Sequence, residues 1–423
     1  MAPLKILICG GGIAGNALAF LLSKLGHTIT VLERFPSLRT TGLQIDLRGH
    51  GIQVLQRMGL EDNFRSRAAP EQGTRAVDKT GRVRAFFPAN RTGKGLQSFT
   101  TDYEIMRGDL CRMLFEENEG AVRYVFDTTI ESLEQDGKAV DVKLANGETG
   151  QYDLVVGADG VGSRIRKRFV RIGKTDGFNP IKDLYIAYFT IPSKAQSEDE
   201  FVATVYMAPG GRGIMTRRNR DDAMQIYMSC QNGLPKLRDC RPGDVAVEKE
   251  ALAEIFQGAG WQTEEILRAM AKSDDFYLER MGLVQLDAWS KGRVTLVGDA
   301  GYCPSANTGM GTTSAFVGAY VLAGEIAKHC GDAERPAGDD GLPRALAGYE
   351  QRFRPFMAQV QEGVSEGLPI PTSAFGIGVL NLLLSVASWM KWNIFGSMVL
   401  REDVKNWDLP EYKELTQALA GGK

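Results

Sequence analysis

Three glycines near the start of the chain have the spacing of a turn that binds phosphates. Gly10, Gly12 and Gly15 follow an apolar run that predicts a buried strand, and they precede an apolar run that predicts a helix. The first glycine allows a tight turn, the second lets the backbone approach a pyrophosphate, and the third lets the helix pack against the strand. The backbone N–H groups at the helix start, at Ile13 and Ala14, then point towards the phosphates.

A carboxylate follows this turn at the distance that nucleotide recognition requires. A second predicted strand ends in Glu33, which lies 18 residues after Gly15 and can accept hydrogen bonds from an adenosine ribose. The order strand, helix, strand and acid favours dinucleotide binding. A glycine turn with a purely structural role is the alternative.

Two more carboxylates follow predicted buried strands. Asp159 comes after the β-branched run at 153–158, and Asp299 follows the run at 293–297. Open α/β sheets bind ligands at the carboxyl ends of their strands. Asp299 can therefore accept hydrogen bonds from a polyol such as a ribityl chain, and Asp159 can support the nucleotide end of the site. The alternatives are a helix N-cap for Asp159 and a turn residue for Asp299.

A glycine-rich loop and a long helix follow Asp299. Gly309 and Gly311 allow the backbone to lie against a flat ring, and the helix predicted from about residue 311 to 329 directs its positive N-terminus at negative charge on that ring. Reduced flavin carries such a charge, so the motifs favour a flavin among the dinucleotides. Arg107, which opens another predicted helix, belongs to the same set of motifs.

The elements around these motifs predict an α/β fold: a Rossmann-like nucleotide-binding domain, an inserted antiparallel-sheet domain and a C-terminal helix. The predicted boundaries are a discontinuous FAD-binding domain at 1–175 and 285–355, a substrate-binding domain at 176–284, and a C-terminal helical segment at 356–423 that bridges the domains. A small antiparallel meander is expected at 122–126, 129–135 and 140–144.

The C-terminal segment contains an uncharged stretch at 367–390. Its dense apolar part, 377–390, would form a helix of roughly 21 Å, shorter than a bilayer core of about 30 Å. Apolar residues fall on nearly every face of that helix, which favours burial between the domains. Association with a membrane or with a second subunit is the alternative.

Composition excludes several classes of function. The 423 residues carry a net charge of −2, which offers no electrostatic footprint for nucleic acid. The six cysteines are scattered, and the three histidines lack metal-ligand spacing. Reduced thiols and the absence of a signal-peptide pattern predict a cytoplasmic protein.

At this point the chain resembles the single-component FAD-dependent aromatic hydroxylases, the group whose type member hydroxylates p-hydroxybenzoate. The resemblance covers roughly residues 4–355, and within the family it is greatest to the tetracycline-inactivating flavin monooxygenases. It rests on the glycine turn, on the pair Asp159-Gly160 and on the pair Gly298-Asp299. The chain departs from many members after the second pair, where Ala300-Gly301-Tyr302 replaces Ala-His, and in the following helix, where Gly318-Ala319 replaces Asp-Ala.

The resemblance implies a role for each matching residue. Glu33 would bind the adenosine ribose, and Asp299 would bind the ribityl chain. The remaining FAD contacts would come from Arg34, Arg39, Asp46 and Arg107, and the isoalloxazine would be lined by Pro304, Gly309, Met310 and Gly311.

The resemblance also implies an activity. NADPH or NADH would reduce the FAD, and a flavin C4a-hydroperoxide formed with O2 would transfer one oxygen to an aromatic or polyketide-like substrate, such as a tetracycline-like one. No side chain is assigned a catalytic role. The strands of the inserted domain would cover the flavin, with candidate substrate contacts at Tyr188, Met207, Arg212, Met215, Arg217 and Met228; each could instead be an ordinary sheet residue.

Other functions remain open at this stage. A flavin dehydrogenase or reductase, a halogenase, or a protein that binds flavin or ligand without turnover would share the scaffold. The halogenase motif WxWxIP is missing, since the one close tryptophan pair, Trp389 and Trp392, has a different spacing. A monomer or weak dimer without membrane association is expected.

Overall fold

The computed structural model describes residues 3–39, 42–89, 101–170, 175–195, 201–231, 235–241, 243–331, 341–366, 371–390 and 404–421. Within these residues the strands are β1 (Lys5–Cys9), β2 (Thr28–Leu32), β3 (Gln44–Asp46), β4 (Gly73–Val77), β5 (Val83–Pro88), β6 (Glu104–Met106), β7 (Val122–Val125), β8 (Ile130–Gln135), β9 (Val140–Leu144), β10 (Thr149–Tyr152), β11 (Leu154–Gly157), β12 (Phe178–Pro192), β13 (Ala203–Ala208), β14 (Arg212–Arg220), β15 (Ala223–Cys230), β16 (Tyr277–Val284), β17 (Ser290–Lys291) and β18 (Val294–Leu296).

The helices in the same residues frame these strands. They are α1 (Ile13–Lys24), α2 (Gly49–Arg57), α3 (Glu61–Ser66), α4 (Arg107–Glu117), α5 (Pro235–Asp239), α6 (Val245–Phe256), α7 (Thr263–Lys272), α8 (Asp299–Tyr302), α9 (Gly311–Cys330), α10 (Leu342–Gln361), α11 (Ala374–Trp389) and α12 (Lys413–Ala420).

The first sheet carries the motifs. Its order is β17-β18-β11-β1-β2-β7, and all neighbours are parallel except the short edge pair β17–β18. Ile6 and Ile8 of β1 pack towards α1, α9 and α10, whereas Leu7 packs towards β9 on the other face. Because β18, β11 and β1 are adjacent and parallel, the loops that follow them meet at one edge of the sheet.

One strand lies elsewhere than the sequence predicted. Val122–Val125 pairs in parallel with β2, so it is the edge strand of the first sheet and not part of the meander. The meander consists of β8, β9 and β10 instead. Alternation alone does not distinguish these partners, since both arrangements bury one side of a short strand.

The second sheet has the order β16-β12-β15-β14-β13-β4-β5 and is antiparallel except between β13 and β4. Its first two strands in the chain, β4 and β5, lie far before residue 176, where the predicted insertion begins. They join because β4 pairs with β13 over Ala203–Tyr206. The expected α/β class, with a parallel nucleotide-binding sheet and a separate antiparallel sheet, is confirmed.

The two faces of the second sheet have different surroundings. Ile226 and Met228 of β15 are fully buried against Leu252 and Phe256 of α6. The opposite face looks towards the ribbon formed by β3 and β6 and towards the first sheet. Val205, Met207 and Met215 on that inner face are half-buried, whereas Tyr188 and Tyr227 are buried.

A buried ion cluster joins the second sheet to the ribbon. Arg217 of β14 donates to both oxygens of Glu71 at 2.7 and 2.6 Å, and to Glu104 of β6 at 2.5 Å. Gln44 of β3 also donates to Glu104, at 2.5 Å. One guanidinium therefore serves two carboxylates. Burial raises the pKa of Glu104 to about 7 despite Arg217, and the charge of Glu71 contributes to the rise.

The C-terminal helix α11 lies along the free edge of β5 and also contacts β13. Ser385 donates to the carbonyl of Arg84, and Ser388 exchanges hydrogen bonds with the backbone of Phe86. Both strands belong to the second sheet, and large apolar side chains of α11 are exposed. The expectation that this helix is buried on all sides between the domains is therefore wrong. Within the predicted segment 356–423, residues 367–370, 391–403 and 422–423 lie outside the described residues.

The last helix, α12, is held on the first sheet's helices through Tyr412. The Tyr412 ring lies directly over Gly324 of α9, where any Cβ would overlap with it. Its hydroxyl donates to the buried carboxylate of Glu325 at 2.7 Å, which also pairs with Arg352 at 2.6 Å. Across the described residues, no helix combines the length and apolarity needed to cross a bilayer.

We expect Tyr412→Phe to lower the free energy of unfolding by about 1.5–3 kcal/mol, because a buried hydrogen bond to a charged carboxylate is lost. Tyr412→Ala should cost roughly 3–5 kcal/mol, since the ring that covers Gly324 is lost as well. Denaturant unfolding measures both. The exposed neighbour Lys413 provides the control, because Lys413→Ala should change the value by less than about 0.5 kcal/mol. Equal stability of wild type and Tyr412→Ala would contradict this anchoring role.

The ion cluster predicts a pH dependence of stability. The folded protein keeps a proton on Glu104 that the unfolded chain releases near pH 4.3, so this stabilisation is complete below that pH and is lost as pH rises through about 7. The loss should amount to roughly 3–4 kcal/mol, because each unit of pKa difference between the folded and unfolded states corresponds to about 1.4 kcal/mol. Glu104→Gln should flatten the curve of unfolding free energy against pH between 5 and 8. Glu131→Gln, at an exposed carboxylate of β8, should leave the slope unchanged; a wild-type slope retained in Glu104→Gln would refute the assignment.

Candidate active site

The glycine turn after β1 is held by direct backbone contact. Gly10 has a φ of +118°, and its N–H donates to the carbonyl of Leu32 at 2.8 Å. A Cβ at Gly10 would overlap with the carbonyl oxygen of Ala158, and one at Gly15 would overlap with the carbonyl oxygen of Gly10. Only glycine fits these two positions, so α1 begins close against the ends of β1 and β11.

The second glycine of the motif faces open space. The nearest atom to a Cβ built on Gly12 is Nη2 of Arg107, at 3.7 Å. The start of α1 at Ile13 and Ala14 has no side-chain cap and no acidic residue in its first turn. An uncapped helix start beside a guanidinium is a site for an anion.

Glu33 lies at the other side of this opening. Its carboxylate is buried and accepts hydrogen bonds from the N–H groups of Gly11 at 2.9 Å and Phe35 at 3.1 Å. Arg34 lies over the exposed ring of Phe35, with its guanidinium carbon 4.8 Å from the ring centroid. The carboxylate thus keeps a fixed position at the turn, with acceptor capacity beyond these two bonds.

Arg39 supplies a second positive charge near the turn. Its guanidinium lies 5.8 Å from the ring centroids of both Phe35 and Tyr277. Burial lowers the pKa of Arg39, and the neighbouring charge of Arg107 lowers it further. The charges of Arg39 and Arg107 repel each other, and this repulsion favours an anion between or beside them.

Asp299 lies in a recess at the end of β18. Its side chain is accessible while Gly298 and Ala300 on either side are buried. Protein atoms nevertheless surround it, and this burial raises the pKa of Asp299 to about 6, with a contribution from the charge of Glu279. Cys303 donates a hydrogen bond to the carboxylate. An accessible acceptor at the bottom of a recess is suited to the hydroxyl groups of a ligand.

The loop before α9 leaves a second open surface. No atom lies within 4 Å of a Cβ built on Gly311, and α9 starts there with no side-chain cap and no acid in its first turn. Gly309 adopts a left-handed conformation, and Pro304 and Met310 are buried beside it. This backbone could lie along a flat ring.

Asp46 is engaged by a neighbour in this structure. It accepts a hydrogen bond from Nε of Arg48, whose backbone N–H donates to Thr313 at the start of α9 at 2.9 Å. The segment after β3 is thereby fixed between the α9 start and the ribbon. Arg107 begins α4, and its backbone N–H donates to Leu43 at 2.8 Å.

Asp159 has a local structural role, in line with the helix N-cap that was the alternative to nucleotide support. Its carboxylate accepts hydrogen bonds from the hydroxyl of Ser163 at 2.5 Å and from the N–H groups of Arg164 at 2.6 Å and Ile165 at 3.3 Å. Direct support of a nucleotide is therefore not needed to explain it. Asp159 shapes the loop that follows β11.

Sequence reasoning missed the residue that joins two of the loops. Arg166 is fully buried and donates to the carbonyls of Val161 at 2.6 Å, Ala300 at 2.9 Å and Asp176 at 2.8 Å. It ties the loop after β11 to the loop after β18. Arg166 lies among the basic residues Arg164, Lys167 and Arg168, and such residues are normally on the surface, so residue type did not distinguish the buried one.

Gln361 of α10 was also missed. Its side-chain amide donates to the carbonyls of Val284, Tyr302 and Cys303 at 2.9, 3.2 and 3.0 Å. The loop that carries Asp299 is therefore fixed from the second sheet and from α10 together.

The strand register of the second sheet shows which of the six candidate substrate contacts lie on its inner face. Tyr188 pairs with Tyr227, which pairs with Met215, and Met207 and Arg217 share that inner face through alternation along β13 and β14.

Two of the six predictions are wrong. Met228 is buried in the outer core against α6, and Arg212 donates to the carbonyls of Ile255 at 3.0 Å and Gln257 at 3.3 Å beside the same helix. Arg217 is on the inner face but is occupied by the ion cluster. The half-buried inner face is formed in part by Val205, Met207 and Met215.

The donor set fits FAD on observations of this structure. The open helix start and the two guanidiniums suit a pyrophosphate, Glu33 suits a ribose, and the recessed carboxylate of Asp299 suits a ribityl chain. The open backbone at Gly311 leaves space for a ring.

Comparisons with known proteins agree with this fit. The sequence profile of the family described as "FAD binding domain" matches residues 3–362. The chain is 49% identical to the FAD-dependent monooxygenase asL4 of Sarocladium schorii, over 98% of this chain and 99% of that protein.

Two solved structures are similar over nearly the whole chain. Tetracycline destructase Tet(55) superposes with a TM-score of 0.76 at 29% identity, covering 97% of this chain and 99% of that one. Klebsiella pneumoniae HpxO complexed with FAD and uric acid, at 17% identity, shares the fold with a TM-score of 0.67, covering 94% and 96% of the two chains. From the family match and the near-complete alignment to asL4, the chain belongs to the FAD binding domain family and is an FAD-dependent monooxygenase of the aromatic-hydroxylase type.

Proposed function

We propose that the protein uses NAD(P)H and O2 to insert one oxygen atom into an aromatic or polyketide-like substrate. The second oxygen atom leaves as water, and NAD(P)H is oxidised to NAD(P)+. The observation that carries the proposal is the apolar part of the inner face of the second sheet, where Val205, Met207 and Met215 are half-buried on the face that also contacts the ribbon of β3 and β6. An apolar surface of this kind favours a hydrophobic, flat substrate over a charged one.

We assign the FAD contacts to the residues that fit them. Gly12, Ile13 and Ala14 at the start of α1, together with the guanidiniums of Arg39 and Arg107, would hold the pyrophosphate. Glu33, beside Arg34, would bind the ribose, and Asp299 would bind the ribityl chain. Pro304 and the backbone from Gly309 through Met310 to Gly311 would line the ring. Asp46 accepts from Arg48 through Oδ2 and keeps acceptor capacity with which it would contact FAD.

The flavin, when bound, supplies the redox chemistry, accepting a hydride and delivering oxygen by the route that the resemblance implies. The chain's contribution is electrostatic and steric. The start of α9 directs its positive end towards the ring position, which stabilises negative charge there. The second sheet excludes water from the opposite side. No side chain is assigned as a general base.

Two resemblances guide the choice of substrate. Relatives such as asL4 and eupH are fungal monooxygenases, which supports a substrate from secondary metabolism. The likeness to tetracycline destructases supports a fused-ring phenol or enol, with tetracycline itself as one compound to test. A fused-ring phenol and a fused-ring enol each offer an electron-rich carbon on a flat ring.

Turnover with labelled oxygen tests the proposed reaction. We expect NADPH or NADH to be consumed only with O2, and a fused-ring phenol or enol to gain one oxygen atom from 18O2, measured by mass spectrometry. Hydrogen peroxide as the only product with every such compound would contradict the monooxygenase assignment for this substrate class. Oxidation of NADPH without O2, coupled to substrate reduction, would indicate a reductase instead.

Asp299 and Glu33 test the assignment of FAD contacts. Asp299→Ala should lower FAD affinity about 10- to 150-fold, because a charge-assisted hydrogen bond worth about 1.5–3 kcal/mol is lost. Glu33→Ala should have a smaller effect, since the adenosine end is nearer solvent. Fluorescence titration of apoprotein with FAD measures both, and Asp136→Ala in an exposed turn is the control.

The pH dependence of FAD affinity provides a second test of the assignment of Asp299. The wild-type carboxylate takes up a proton as pH falls through about 6, so FAD affinity should fall from pH 7 to 5. Asp299→Asn should bind FAD weakly at all of these pH values, without that decline. Unchanged occupancy in Asp299→Ala would mean that the ribityl chain lies elsewhere.

A further inference from the structure

The helix α11 exposes a concentrated apolar surface. Twelve large hydrophobic side chains are exposed among the described residues, and seven of them lie on α11 or at its C-cap. These seven, here called the α11 face, are Phe375, Val379, Leu382, Leu383, Val386, Trp389 and Met390. Phe375 is 82% exposed and Trp389 is 83% exposed, so the face is open at both ends of the helix.

The polarity of this helix is inverted. At about 100° per residue, the seven side chains fall within one arc of roughly 120°. The opposite side carries Ser385 and Ser388, which bind the backbone of β5, together with the buried Ile377 and Ala387. The side that faces the protein thus carries the two serines among apolar side chains, whereas the outward side is apolar, the reverse of an ordinary surface helix.

The neighbouring strand extends the same surface. Val83 and Phe86 of β5 are exposed, and Ser388 hydrogen-bonds to the backbone of Phe86. Monomeric proteins rarely expose contiguous apolar patches beyond about 300–600 Å². Aromatic side chains alone offer about 150–250 Å² each. Nine largely exposed side chains, three of them aromatic, thus present an apolar area on the order of 800 Å², which is what each partner of a standard interface buries.

We propose that the α11 face binds the same face of a second copy of this chain, forming a twofold dimer. The area matches one side of such an interface. Residues 371–390 contain no Asp, Glu, Lys or Arg, and Arg84 on the adjoining strand β5 is paired with Asp78 at 2.6 Å, so two copies of α11 meet without unpaired like charges opposite one another. A lipid surface fits less well, because helices that lie on membranes carry Lys and Arg beside their apolar face.

Sedimentation velocity over a dilution series in the micromolar range tests the dimer. The holoenzyme should be dimeric, and Leu382→Glu and Val379→Glu should each raise the dimer dissociation constant on the order of 100-fold. The effect is large because the twofold axis places each buried carboxylate in the interface twice. Both side chains are exposed in the single chain, so FAD absorbance and melting temperature should stay at wild-type values.

Val245 offers a matched control. It is 40% exposed on α6, against 41% for Val379 on α11, and it lies in the first turn of its helix, where glutamate is favourable. Val245→Glu should leave the dimer intact. A monomeric wild type, or a dimer that survives both α11 substitutions, would overturn the proposal. So would a monomer that floats with phosphatidylcholine and phosphatidylserine vesicles and loses this binding in Val379→Glu, since that result assigns the face to lipid.

Discussion

The position of the second sheet depends on one buried guanidinium. Arg217 is shared by Glu71, in the segment before β4, and by Glu104 on the ribbon, with contacts of 2.5 to 2.7 Å. Removing a partner from a buried ion pair leaves an unpaired charge and costs about 3–5 kcal/mol, so the geometry of this cluster is strongly constrained. The cluster fixes the ribbon of β3 and β6 to the second sheet.

The loops that follow β1, β11 and β18 form one surface for a different reason. Backbone contacts at Gly10 and Gly15 bring α1 against the ends of β1 and β11, and Arg166 then ties the loop after β11 to the loop after β18. Gln361 connects that last loop to the second sheet through Val284. Three loops from distant parts of the chain are thus positioned by packing and hydrogen bonds of the chain itself, which is the preorganisation that cofactor binding requires.

Local patterns predicted the first sheet well and the second sheet only in part. The strands of the nucleotide-binding unit, the glycine turn and α9 could be read from sequence because each has a strong local signal. Membership of β4 and β5 in the second sheet depends on pairing with β13, more than a hundred residues away, and no local pattern encodes that partner. Met228 was misplaced because a shift of one residue along a strand reverses the face.

The site shows the same division between local chemistry and long-range geometry. Glu33 was predicted from its distance after the glycine turn, and Asp299 was predicted from its position directly after a buried strand. Arg166 and Gln361 act on backbone carbonyls that come together only in the fold, so residue type and spacing do not reveal them. Asp159 carries a motif signal, yet its hydrogen bonds go to its own loop.

The C-terminal helix shows how a correct pattern can lead to a wrong conclusion. Apolar residues on nearly every side of α11 suggested complete burial, because a helix that is hydrophobic all round must be buried somewhere. In the structure Ser385 and Ser388 instead satisfy the free edge of β5, an edge that would otherwise invite pairing with another chain. Covering the edge with hydroxyl groups leaves the apolar arc outside, so protection of one surface of the sheet creates the hydrophobic surface beside it. The constraint that places α11 on β5 is therefore also the origin of the face that a second copy can cover.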